Sequence, residues 1–157
     1  MLAEDSFAVD FSCTTCGKII TALTNPSHCP QCQSAAPDHG FPTVEAVKIA
    51  EQNDRFRAGL TKGNASDLRG QVVVTSAVDA MGRDFVIAAL MAVAGDSTFT
   101  PDNDPYGDHG FGTVTVLTIR LFWKIDLYDE ELVHGSPAPA NPAVTRRVLT
   151  IMFPSDY

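Results

Sequence analysis

Residues 113–128 read TVTVLTIRLFWKIDLY, and the second half of this stretch alternates in a way only a strand requires. Ile119, Leu121, Trp123, Ile125 and Leu127 fall on one face, and Arg120, Phe122, Lys124, Asp126 and Tyr128 on the other. Thr113–Thr118 alternates too, with Val114 and Val116 on one side. The sequence between the two strands, Leu117-Thr118-Ile119, holds no Gly or Asn to mark where a turn falls. A one-sided apolar strand needs a second layer to cover it.

That layer is readable on either side. Thr43 is placed to cap a helix that starts at Val44, and Val44, Val47, Ile49, Ala50 and Phe56 form an apolar stripe on it. Glu45, Lys48, Glu51 and Arg55 face water, and Gly59 and Gly63 end it. QVVVT (71–75) reads as a short buried strand. DFVIAALMAVA (84–94) is apolar nearly all round and predicts a buried helix stopped by Gly95. A proline-rich loop, HGSPAPANPAV, leads to a last strand over Arg147–Phe153. The order helix–strand–helix–three strands predicts an α+β body with a mostly antiparallel sheet and helices on one face.

N-terminal to the body, the sequence runs C-T-T-C, twelve residues, C-P-Q-C, using all four cysteines of the chain: Cys13, Cys16, Cys29 and Cys32. Two CxxC turns each bring two thiolates to one ion, so the spacing predicts a small ribbon with one structural zinc. Gly17 suits the knuckle turn, and His28 reads as a bystander. Two disulfides, a redox CxxC pair or a lone iron are the other readings of this spacing. A closed four-thiolate site is not catalytic. SAAPDHGFP (34–42), broken by Pro37 and Pro42, reads as a linker. The expected organisation is a ribbon at 1–36, a linker at 37–42 and the body at 43–157. Ile19, Ile20 and Leu23 are the ribbon's apolar contact candidates, and Lys18 is its sole base.

The composition, 45% hydrophobic and 19% charged over 157 residues, is globular. No apolar run approaches a membrane span, and MLAEDSFAVDF has acids where a secretion signal has bases, so a cytoplasmic protein is expected. Net charge is −8. That argues against a broad phosphate-binding surface and suits a basic partner, such as a nucleic-acid-handling machine.

Four acids lie between Gly95 and Gly110 without a base: Asp96, Asp102, Asp104 and Asp108. Asp102, Asp104 and Gly107 match three positions of a calcium loop, but Tyr106 and Thr113 break the pattern. The loop reads either as a structure pinned by Pro101, Pro105 and Asx turns or as a partner-binding surface. Arg120, Lys124, Arg146 and Arg147 are candidates for a local basic cluster, or else for cross-strand ion pairs with Asp126 and Glu130. His109 with Asp108, Asp126, Arg146 and Arg147 has the residue types for acid–base chemistry, though no spacing motif supports it.

DNDPYGDHGFG (102–112), FWKIDLYD (122–129), GSPAPANPAVTRRVLTIM (135–152) and the terminal Tyr157 together resemble a bacterial family known only as a domain of unknown function. NDRFR (53–57) and VVVTSAV (72–78) extend the resemblance to about residues 48–157. The resemblance implies a small protein, frequent in proteobacterial genomes and on mobile elements, with no established activity, cofactor or catalytic residues. Ala138 and Asn141 depart from the acidic residues expected in its proline-rich loop. The function expected is a non-enzymatic accessory protein binding a protein or protein–nucleic-acid machine. An inhibitor of host defence, anti-restriction or anti-CRISPR, is the sharpest form. The alternatives are a hydrolase or nuclease using Asp102, Asp104, His109 and Asp126, and a transcriptional factor contacting DNA through the ribbon.

Overall fold

The alternating sequence forms β5 (Ile119–Tyr128), the centre of the sheet in the computed structural model, which describes residues 7–62 and 67–157. β4 (Phe111–Val116) and β6 (Arg146–Met152) flank it antiparallel, and β3 (Gly70–Val74) pairs parallel with β6 at the edge. The order is β3-β6-β5-β4. One pairing in three is thus parallel, and the sheet is mostly antiparallel as expected. The β4–β5 register sets Val116 opposite Ile119, which leaves a two-residue loop. Leu117 (φ 48°) and Thr118 (φ 70°) both adopt the left-handed conformation such a loop demands. β4 therefore begins and ends two residues earlier than the alternation predicts.

The core lies on one face of this sheet. Leu121, Trp123, Ile125, Leu149 and Ile151 point to it and are all buried. Two helices cover them: α1 (Val44–Lys62) brings Phe56, and α3 (Arg83–Gly95) brings Phe85, Ala89 and Val93, spaced four apart on one side. Val78, from the short α2 (Ser76–Asp79), completes the cluster. Each large side chain so buried contributes about 1.5–3 kcal/mol. Thr43 caps α1 as expected: its Oγ1 accepts from the Ala46 N–H at 3.0 Å.

Two expectations need correction. QVVVT is an edge strand, not a buried one; Val72 and Val73 are 36% and 39% exposed because only β6 pairs with β3. Helix α3 is not enclosed: Ile87 and Met91 are 44% and 61% exposed on its outer side. No helix among the described residues is long and apolar enough to cross a membrane.

A second buried cluster belongs to the N-terminal module, where β1 (Val9–Ser12) pairs antiparallel with β2 (Ile19–Ala22). Phe11, Cys13, Cys29 and Phe41 are its centre. Phe41 comes from the stretch 37–42, which is therefore a packed connection. Asn25 clamps it, donating to the Phe41 carbonyl at 2.8 Å and accepting the Phe41 N–H at 2.9 Å. Gly40, at φ 86°, leaves room for that Asn25 side chain; a Cβ there would collide with it. The Ser12 N–H then donates to the Pro42 carbonyl at 2.8 Å, which ties the module to the start of α1.

Candidate metal centre and the cleft beside it

The two CxxC turns are near copies of each other. In the first, Cys13 N–H donates to the Lys18 carbonyl, Gly17 N–H to the Cys13 carbonyl, and Thr15 N–H to Cys13 Sγ. In the second, Cys29 N–H donates to the Ser34 carbonyl, Gln33 N–H to the Cys29 carbonyl, and Gln31 N–H to Cys29 Sγ. Each turn ends on a left-handed residue, Gly17 (φ 76°) or Gln33 (φ 63°). The turns face each other so that all four sulfurs lie within 4.8 Å of one another. Cys13–Cys32 and Cys16–Cys29 are each separated by 3.7 Å. A tetrahedral ion with bonds of about 2.3 Å to sulfur has edges of about 3.8 Å. A disulfide needs about 2.05 Å, and all four thiols are free. The four cysteines are thus positioned to bind one metal ion. His28 is exposed, and its Nδ1 lies 3.1 Å from the Ser27 hydroxyl.

Two of the four thiols are also shifted toward the thiolate form. The Ser34 hydroxyl and then its N–H hold the Cys32 thiol down at about 6. Hydrogen bonding from the Cys16 and Thr15 backbone lowers Cys13 against the effect of burial. Cys16 moves the opposite way: the Lys18 backbone favours its thiolate, but desolvation and three neighbouring sulfurs outweigh it. A cation bound among the four sulfurs would favour their thiolate form.

Between the module and the body lies a cleft of about 630 Å³. Phe11 and Phe41 form its module wall, and Phe99, Pro101, Pro105 and Tyr106 its loop wall. Helix α1 supplies the long side through Val47, Ala50, Glu51 and Asp54, which recur at i, i+3, i+4 and i+7 on one face. Its floor is His109, with Asp104 beside it. His109 is held at φ 54° by its own N–H, which donates to Asp104 Oδ1 at 3.1 Å. The imidazole stacks on Phe99 at 3.8 Å between centroids and 5° between planes. Its Nδ1 lies 2.9 Å from both oxygens of Asp54, and its Nε2 3.7 Å from Asp104 Oδ2.

Asp54 raises the His109 pKa above its ordinary value through that hydrogen bond, against burial. Burial works to raise Asp54, but hydrogen bonds from His109 and Arg57 win and lower it. Asp104, its side chain 6% exposed, is raised by burial. Beneath the floor, Arg57 donates to Asp54 Oδ1 at 2.6 Å and to the carbonyls of Val93 and Asp96 at 2.9 and 2.7 Å. Its guanidinium lies over the Trp123 ring at 4.6 Å, and Trp123 Nε1 donates to Asp96 Oδ2 at 2.9 Å.

The acidic loop is therefore largely internal bracing. Asp96 holds Trp123 and Thr98, Asp108 accepts the Gly110 N–H, and Asp104 faces His109, while Asp102 is exposed. The four bases are not one cluster. Arg120 lies over Phe122, Lys124 pairs with Asp126 at 3.0 Å, and Arg146 with Glu130 at 3.4 Å, all on the outer face of the sheet. Arg147 points to the opposite face and is fully buried, bonded to Asn53 and Gln52; burial pushes its guanidinium down to about 10. Of the residues read as an acid–base set, Asp104 and His109 come together, whereas Asp126 is on the far side of the sheet. Glu51, Asp54 and Arg57 are not assigned to a site by the sequence; the helical spacing from Val47 and the NDRFR motif (53–57) are the signals that point to them. In the module, Ile19 and Leu23 are exposed and Ile20 packs inward.

These elements define an α+β protein with a four-cysteine module set against a cleft. The chain belongs to the family described as Protein of unknown function (DUF3768), whose model matches residues 74–156. Neither a curated protein nor a solved structure matches the chain. The matched region holds the loop wall and His109, and the module and α1 walls precede it.

Proposed function

We propose that the chain is a zinc-bearing, non-enzymatic binding protein of the cytoplasm that captures a segment of a partner protein in the cleft. The observation that carries this reading is the cleft itself: its volume is in the range of ligand sites, and its walls are aromatic and aliphatic around a few convergent polar groups. Four cysteine thiolates from two CxxC turns, with sulfurs within 4.8 Å of one another, support zinc as the metal. The metal then acts by holding the Phe11–Phe41 wall in place. An inhibitor of host defence carried on mobile DNA is one protein of this kind. The acidic balance supports a basic partner, and a module with Lys18 as its base does not suit DNA contact.

A hydrolase reading has one observation in its favour, the carboxylate-oriented imidazole on the cleft floor. Against it, His109 Nε2 faces the buried Asp104 carboxylate rather than a serine, threonine or cysteine.

The test is co-purification from a bacterial host with quantitative mass spectrometry, comparing the wild type with Val47→Asp. Val47 is 40% exposed on the cleft, so the variant should fold. Loss of the captured partner in the variant supports the reading, and unchanged capture overturns it.

A further inference from the structure

The polarity of the cleft changes along its length. Helix α1 runs beside it from the module to the loop, and Val47 and Ala50 lie toward the module with Phe11 and Phe41. Glu51 follows Val47 by one helical turn and Asp54 by about two, and Asp54 reaches the loop through His109, which Asp104 also faces. Glu51 is exposed, and the Asp54 side chain stays 44% exposed despite its bonds to His109 and Arg57. Three carboxylates thus line the loop end. Against them stand two cations, His109 as an imidazolium and Arg57, held below the lining by Asp54 and two carbonyls, so one carboxylate is in excess; His39 and Tyr106 are the other titratable groups in the lining.

Resting on the cleft reading above, we infer that the occupant is a cationic polypeptide segment: an apolar side chain seats against Phe11, Phe41 and Val47, and an arginine or lysine seats between Glu51 and Tyr106. The four-residue step from Val47 to Glu51 is about 6 Å along a helix. That separates the two anchors by roughly two residues of extended chain. A purely apolar ligand would strip water from the carboxylates and return nothing. A phosphate-bearing ligand would meet an excess of carboxylate, which disfavours nucleic acid in this cleft. Arginine is favoured over lysine, because Tyr106, 78% exposed on the rim, offers a flat aromatic face beside the acids.

The probe is a set of fluorescein-labelled glycine–serine peptides of about ten residues, each with one Leu and one Arg at graded spacings, matched by peptides with Glu for Arg. Anisotropy is read on the full metal-loaded chain. The expected result is saturable binding of the Arg peptides at the spacing of roughly two residues, falling about tenfold for Glu for Arg and about fivefold in Glu51→Lys, and weakening with salt. Melting curves should show Glu51→Lys and Val47→Asp folded. Binding that Val47→Asp removes but that ignores peptide charge and Glu51→Lys would overturn the cationic inference and leave the cleft reading standing. Absence of binding by every peptide, while co-purification still depends on Val47, would also overturn the cationic inference alone. Indifference of both peptides and co-purification to Val47→Asp would sink both.

Discussion

His109 Nδ1 lies 2.9 Å from each carboxylate oxygen of Asp54, fifty-five residues earlier in the chain. This contact joins helix α1 to the loop before β4, and it titrates. The folded His109 pKa is raised above its ordinary 6.5, so its stabilisation is complete below 6.5 and disappears as pH rises through the folded value. Asp54 is lowered from 3.8, so its share is complete above 3.8 and disappears as pH falls through its folded value. Asp104 and Arg57 also face the ring, the first supporting the imidazolium and the second opposing it. The melting temperature should therefore decline on the alkaline side of 6.5. His109→Gln should flatten that decline and leave the acidic limb governed by the other carboxylates. Imidazole proton shifts should place the His109 midpoint above 6.5; a midpoint below it contradicts the pairing.

Arg57 is 2% exposed and caps the end of α3 through the Val93 and Asp96 carbonyls. It also supports Asp54 from below. Arg57→Ala takes the side-chain donor from the Asp96 carbonyl and leaves the Val93 carbonyl with the Asp96 N–H alone, and the expected loss is about 3 kcal/mol. For a chain of this size that is a fall of about 6–12 °C in melting temperature. Arg57→Lys keeps a charge but cannot reach three acceptors at once, so it should recover only part. A loss within about 0.5 kcal/mol for Arg57→Ala would contradict the network.

Gly112 sits directly across from Trp123 in the β4–β5 ladder. A Cβ at that position would land on the indole ring. Trp123 is fully buried and tied to Asp96 through Nε1, so it has nowhere to go. Gly112→Ala should cost about 1–3 kcal/mol despite the better strand propensity of alanine. Trp123 is the single tryptophan, so its fluorescence reports the site directly. An unshifted emission spectrum with unchanged stability would contradict the packing.

What could be read in the sequence follows a physical rule. The β5 alternation and the CxxC spacing are local, and both appear in the fold. The Leu117–Thr118 turn was hidden because non-glycine residues carry its left-handed backbone. The run QVVV reads the same at an edge as in a centre, since only pairing distinguishes them. Asn53, Arg57 and Arg147 are buried polar groups whose partners lie far away in the chain, so a helical pattern assigns them to water. The cleft was invisible for the same reason. Its floor needs Asp54 and His109 together, and nothing local to either residue announces the other.

The metal prediction separates the two buried clusters. Elemental analysis should find one zinc per chain, and Cys16→Ser should lose it. Metal affinity supplies folding energy to a module this small, so chelation should remove hydrogen-exchange protection from residues 11–34. Trp123 belongs to the other cluster, so its emission should hardly change. The cleft should still respond, because Phe11 and Phe41 form its module wall and Phe41 is 2% exposed only while the module is folded. Chelation should therefore weaken partner capture as severely as Val47→Asp while the body remains folded. Retention of capture after the metal is gone would show that the module wall is dispensable. Two disulfides by mass spectrometry, with no bound metal, would refute the metal centre, because sulfurs 3.7 Å apart must then close to about 2.05 Å.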